Sequence, residues 1–242
     1  PDTHTQLTLR LARLAREQGD SEGEVLFLSE VGENTGGSME RDGLLEAALR
    51  ARGDWTALAE HLKKVASVQR GALRRRALTD LAAVHEEQLS DLGAARHTLQ
   101  ELLHDDETNV AALQRLIELS SDGEADEFRW QLARQLEQSS PRRLSLLKEL
   151  AESDHILHRG RALQQLLLLD PSDAQARGRL EAVRVEQGDW ASLVALLEES
   201  KDDSTEHHMK VAQIRTEHLG DLVGAAAAYR RALEVGPNHP GA

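Results

Sequence analysis

The side chains that could do chemistry are few and scattered. His155 and His158 stand three apart, His207, His208 and His218 lie toward the C-terminus, and His85-Glu86-Glu87 has half of a zinc-protease helix. A metal needs three or four ligands at set spacing, and two histidines three apart do not supply them. These histidines therefore read as surface residues, and His85 lacks the second His that protease chemistry requires. No GxSxG, GxxxxGK or GxGxxG occurs, so no nucleophile elbow or phosphate cradle is expected. The residues predict neither an enzyme nor a cofactor or metal site. One cationic cluster stands out, Arg70, Arg74, Arg75 and Arg76. Three of these sit near the start of a predicted helix, where the dipole disfavours positive charge. An acidic partner or pairing with carboxylates of the chain itself would answer that mismatch.

Composition narrows the function classes. The formal net charge is -13, whereas nucleic-acid binding is built from clustered Lys and Arg that displace counterions. Nucleic acid is excluded as a main partner. There is no Cys, so disulfides and thiolate metal sites are ruled out. No apolar run approaches the roughly 20 residues of a membrane span. The chain reads as soluble, with the cytoplasm slightly favoured over the periplasm. Arg exceeds Lys 24 to 5, a bias common in GC-rich genomes, and suggests a bacterial source. The start at Pro1 and the end at Ala242 suggest a segment of a larger protein.

Aromatics make up only 2% while Leu and Ala abound, which suits packed helices better than strands. An all-α fold follows. Gly-Asp and related turns recur at Asp20, Asp54, Asp91, Asp122, Asp154, Asp189 and Asp221, with a period near 34 that fits a stacked helical repeat. Seven helix pairs are expected, over about 4–35, 38–70, 72–107, 109–139, 140–171, 173–202 and 204–238, as one continuous array across 1–242. Ordering 34 residues costs about 50 kcal/mol, which needs on the order of 2,000 Å² of apolar burial. A lone hairpin buries far less, so its neighbours must supply the rest.

Caps and breakers place the pairs. Gly32 to Gly37 reads as a loop with Ser38 capping the next helix, Asn109 and Asp173 cap two more, and Ser140-Pro141 opens the fifth pair. Two kinds of turn alternate. Those at Asp54, Asp122 and Asp189 lead into a Leu-rich second helix, with Trp55 and Trp190 directly after the Asp in two of them. Both Trp residues should anchor that helix by burying large apolar area. Ala95 and Ala225 should mark the closest approach of paired helices, since axes 8–10 Å apart demand a short side chain.

These residues resemble the tetratricopeptide repeat, a 34-residue helix-turn-helix unit with small residues at two packing positions, an aromatic or Leu in the second helix, and a closing Pro. In the last copy Ala225, Tyr229, Ala232 and Pro237 stand at those positions after Gly220-Asp221. In the third copy Ala82, Ala95 and Leu99 fit, while Leu102 and Glu107 replace the second small residue and the Pro; the sixth has Leu193 at a small position. The resemblance implies an α-solenoid coiled as a right-handed superhelix, with a concave groove lined by the first helix of each pair.

Carried over by that resemblance, the groove holds Arg76, Thr79, Glu86 and Glu87 from the third pair and Gln114, Glu118 and Ser121 from the fourth. The sixth adds Gln175, Ala182 and Glu186, and the seventh adds Glu206, Met209, Gln213 and Glu217. This acidic set suggests a partner with a basic segment, drawn in more strongly at low salt. A groove that clamps a terminal carboxylate would need Lys and Asn there, and none is present. The expected function is a non-catalytic scaffold that binds a protein or peptide and helps assemble a larger complex. The alternatives are a self-assembly element that pairs through the ends of its array, with an apolar edge near Ala225 to Tyr229 as the contact of a homodimer, and a non-catalytic interaction domain of a larger enzyme or regulator.

Overall fold

The structure, a computed structural model, describes residues 3–30, 39–200 and 202–237; the expected Gly32–Gly37 loop and the Ser38 cap lie outside these. Among the described residues the chain is all-α. It forms α1 (Thr3–Glu17), α2 (Ser21–Glu30), α3 (Met39–Arg52), α4 (Trp55–Val68), α5 (Gly71–Ala83), α6 (Leu92–Asp105), α7 (Val110–Leu119) and α8 (Asp122–Gln135). There follow α9 (Pro141–Ala151), α10 (Ile156–Leu169), α11 (Ala174–Gln187), α12 (Trp190–Glu198), α13 (Thr205–Ile214) and α14 (Leu222–Val235). A π-helical turn extends α5 over Val84–Gln88, and another extends α13 over Arg215–Leu219.

Among the described residues α1 packs on α2, α3 on α4, α5 on α6, α9 on α10, α11 on α12 and α13 on α14, and the chain divides into two compact units, Pro1–Phe128 and Arg129–Ala242, with the division inside α8. Within each unit packing is between sequence neighbours, as in a solenoid: α2 on α3, α4 on α5 and α6 on α7 in the first, α10 on α11 and α12 on α13 in the second.

Helices of both kinds, first and second in a pair, start where short polar side chains satisfy free N–H groups. Asp54, Asp91, Asp189 and Asp221 accept hydrogen bonds from the backbone N–H of Ala57, Ala94, Ser192 and Gly224 at 3.2, 2.9, 3.2 and 2.9 Å. Asn109 and Asp173 do the same for α7 and α11. At Asp189 the bond with Ser192 holds the carboxyl below the usual carboxylate range.

Two turn positions differ from expectation. Asp122 lies in the first turn of α8, and the residue before it, Ser121, accepts the first helical bond from Ala125. His155, not Asp154, precedes α10, and the Ser153 hydroxyl accepts from its N–H. Acidic residues favour the N-terminal turn generally, so an Asp marks the neighbourhood of a helix start without fixing its position. Ser140 stands before α9 but makes no side-chain cap bond; Pro141 at the first helical position sets that start.

The alternation of turn types has a geometric cause. Before α2, α4 and α12 the turn is closed by an N–H bond five residues back, from Asp20, Asp54 and Asp189 to Ala15, Leu49 and Arg184. Before α6 and α14 it spans six, from Asp91 to His85 and from Asp221 to Arg215. The additional residue is absorbed as the π turn. Two of the three tight turns are followed by a Trp, Trp55 and Trp190, and the helices these open, α4 and α12, contact the π turn of the next pair. Trp55 packs against the buried cluster that holds Leu58, Leu62, Leu81 and Val84, whereas Trp190 lies flat on the His218 ring at 3.7 Å and 7°.

The small residues are buried as expected. Ala95 and Ala225 are covered, as are Ala82, Ala212 and Ala232. Gly160 has Val183 Cγ1 only 3.0 Å from where a Cβ would stand, which marks a close approach of α10 and α11. Two histidines expected at the surface are buried: His158 within α10, and His208 with Nε2 2.6 Å from Asp203.

Candidate partner-binding face

In the first unit, Arg76 and Thr79 of α5, Glu87 of its π turn, Gln114 and Glu118 of α7 and Ser121 just beyond are exposed, with Glu86 half-buried. In the second, Gln175, Ala182 and Glu186 of α11 and Glu206, Gln213 and Glu217 of α13 and its π turn are exposed, with Met209 half-buried. Apolar burial accounts for the other sides of these helices, so polar residues are left on the remaining stripe.

Ion pairs tie each first helix to the next within a unit. In the first unit Arg13 meets Glu40 at 2.7 Å, Arg50 meets Asp80 at 3.5 Å, and Arg115 Nε donates to Glu86 at 2.7 Å. In the second, Arg179 meets Glu152 and Lys210 meets Glu181, both at 2.6 Å. Each rung joins residues 27 to 30 apart, a little under one repeat. Exposed pairs of this kind contribute about 0–1 kcal/mol. Their effect is on register and on the charge left over, rather than on stability.

That accounting changes the electrostatics of the face. Glu86 and Glu118 share Arg115, and Glu186 meets Arg159 at 2.7 Å, so three carboxylates of the expected set are partly offset by two cations. Glu217 accepts from Gln213 at 3.0 Å, Arg76 approaches Asp80 at 3.8 Å, and Thr79 donates to the Arg75 carbonyl.

The arginine cluster is knitted into its own unit. Arg74 Nε lies 2.5 Å from Asp105, its Nη2 3.5 Å from Glu101, and it also donates to the Ala66 carbonyl. Arg75 approaches Asp106 at 3.8 Å, while Arg70 stands exposed just ahead of α5. Cations at the start of α5 face acids at the end of α6, so two unfavourable dipole placements offset each other.

A buried polar group beneath α3 escaped the sequence reading. Arg41, Asp42, Glu46 and His61 are all buried. Arg41 meets Asp42 at 2.8 Å, His61 Nε2 lies 4.0 Å from the same carboxylate, and Arg50 approaches Glu46 at 3.5 Å. Burial pushes Glu46 up and His61 down, each toward its neutral form. The signal was there to find: Asp42 and Glu46 take positions four apart beside Leu45 and Leu49, where the helical period calls for apolar residues.

His155 and His158 bring their rings to 4.7 Å, but among the described residues no group of three or more His, Asp or Glu is placed to hold a metal ion. A cleft of about 490 Å³ between α4, α5 and α6 is lined in part by Leu78 and Leu81. No described helix is long and apolar enough to cross a membrane.

No protein-family model and no curated protein matches the chain. Solved structures do. A tetratricopeptide repeat protein from Parabacteroides merdae is similar at 15% identity over 98% of this chain and 95% of that one, with a TM-score of 0.41. The C-terminal part of a repeat protein of the same kind from Cytophaga hutchinsonii is similar at 10% identity over 96% and 97%, at 0.35. The TPR2AB domain of yeast Sti1, solved in complex with pHSP90, is similar at 10% over 94% and 98%, at 0.34. What makes the pairs here tetratricopeptide-like is internal to the chain: capped turns near every 34 residues, buried alanines where helices touch, and stacking between neighbours.

Proposed function

We propose that this divergent array of tetratricopeptide-like helix pairs is a non-catalytic interaction scaffold that binds a protein or peptide along its first helices. The observation that carries this is the ladder of ion pairs between consecutive first helices. It holds exposed polar side chains in register within each unit while leaving no reactive constellation behind them. An extended ligand with alternating hydrogen-bonding groups suits such a surface better than a small molecule, which needs a deep and largely apolar cavity.

The partner's contacting segment is basic. Glu86, Glu118 and Glu186 already lie against arginines of the chain, so attraction comes from exposed carboxylates such as Glu87 and Glu217, and screening by salt should weaken it. Photo-crosslinking tests the reading directly. A crosslinker placed at Gln114 or Gln213 should capture a partner, and the yield should fall as salt rises. Equal capture from the second-helix position Glu60 would remove the first helices from the interface.

A further inference from the structure

The second unit holds an arginine whose charge the fold does not answer. Arg177 of α11 is half-buried, and its Nη1 and Nη2 donate to the backbone carbonyls of Leu196 and Pro171, both at 3.1 Å. Among the described residues it meets no carboxylate, whereas Arg159, Arg179, Arg184 and Arg215 of the same unit each meet one. Two of the five guanidinium N–H donors are spent on carbonyls that fix the group in place, and three are left. The first unit has a closed version of the same spot. Asp42 stands twelve residues before its turn Asp, as Arg177 does, and His61 stands seven after it, as Leu196 does. There the polar side chains are buried and Arg41 meets Asp42 at 2.8 Å.

Arg177 instead opens on a cleft of about 360 Å³ between α10, α11 and α12. Its apolar lining is aliphatic throughout, with Leu167 and Leu168 from α10, Leu180 from α11 and Ala195 and Leu196 from α12. Leu168 is 70% exposed, so an apolar group bound there would take it out of water. We propose that this cleft binds a small aliphatic carboxylic acid as its anion, with the carboxylate on the remaining N–H groups of Arg177 and the chain along Leu167, Leu168 and Leu196. A guanidinium offers parallel donors that match the two oxygens of a carboxylate. A volume in this range, with aliphatic walls and a few fixed polar groups, is that of a small-ligand site. Arg184, also in the lining, is already matched by Asp189 at 3.1 Å, and the exposed Glu199 opposes an anion, so preference for a carboxylate rests on Arg177. The cleft lies between second helices and takes an anion, whereas the face proposed above uses first helices and takes a cation. The two proposals therefore fail separately.

Isothermal titration of the whole chain with octanoate tests this. Octanoate should bind saturably at one site per chain. Acetate, which lacks the chain, and octylammonium, which reverses the charge, should each bind at least about tenfold more weakly. Arg177→Gln should weaken octanoate about tenfold or more. Leu168→Ser lies outside the core and should weaken it several-fold with an unchanged melt, while Glu199→Gln, also exposed, should tighten it. These two surface variants decide the matter even if Arg177→Gln, which gives up two braced carbonyls, melts early. Absence of saturable octanoate binding overturns the proposal, as does octylammonium binding equally well or octanoate affinity that Leu168→Ser and Glu199→Gln both leave unchanged. So does binding of N-acetyl-leucylleucine where octanoate fails, which would give the cleft to the end of a peptide.

Discussion

The joint between α4 and α5 and the joint between α12 and α13 share a plan and differ in material. Each sets a Trp directly after a tight turn against the π turn of the following pair. In the first, Trp55 packs against the apolar cluster that includes Leu58, Leu62 and Val84, and the residue matching His218 is Gln88. In the second, the indole of Trp190 stacks on the imidazole of His218. The turn residue differs as well while the backbone does not: Gly220 and Ser90 hold the same left-handed conformation, at φ 63° and 53°, where a side chain costs about 1–2 kcal/mol. The lesson is that this array conserves the geometry of the joint, a wide turn receiving a large ring, while the residue under the ring is free to change.

The largest test of that comparison is to remove the rings. Trp55→Ala and Trp190→Ala should each cost about 3 kcal/mol in urea denaturation. A loss below about 1 kcal/mol at either site would mean the indole only covers its joint. Next comes the contact inside the pairs that follow the joints: Ala95→Leu and Ala225→Leu should each cost about 2 kcal/mol by overpacking, read as a lower midpoint. An unchanged melt of Ala225→Leu would take that role from Ala225. The turn itself is a smaller lever, and its sign should reverse between joints. Ser90→Gly should stabilise by about 1 kcal/mol and Gly220→Ser should destabilise by about as much.

The first unit has one further asymmetry, its buried His61 and Glu46. His61 is held below its ordinary 6.5 by burial. The unfolded chain therefore takes up a proton first, and stability falls as pH drops from 6.5 toward the lowered value. Glu46 is held above 4.5 by burial. Its contribution runs the other way, with stability gained as pH falls through the raised value and level below 4.5. His61→Leu should flatten the decline that starts near pH 6.5 in a series of urea midpoints, and Glu46→Gln should stabilise most at neutral pH. A His61→Leu series that declines like the wild type would place the proton uptake elsewhere.

Much of this architecture was legible in the residues. Repeated Gly-Asp turns and alanines at fixed offsets dictate paired helices because caps and close contacts depend on local chemistry. Asp122 and Asp154 misplaced two starts by one residue, since an acid is welcome anywhere in a first turn. The π turns were not legible: VHEEQ and RTEHL have ordinary helical composition, and only the longer reach from Asp91 and Asp221 reveals the inserted residue. The candidate face was legible as a set of positions, but not its charge. Glu118 and Arg115 stand three apart on α7 and could be paired by periodicity, but Glu86 with Arg115 and Glu186 with Arg159 join different helices, which periodicity cannot pair.

Native-state hydrogen exchange on Trp190→Ala bears most directly on whether each pair is held up by the next. If neighbours supply the burial that a hairpin lacks, protection should fall together in α12, in α13 and in the π turn at Arg215–Leu219. Loss confined to α12, with α13 protected as in the wild type, would show that these hairpins stand without one another.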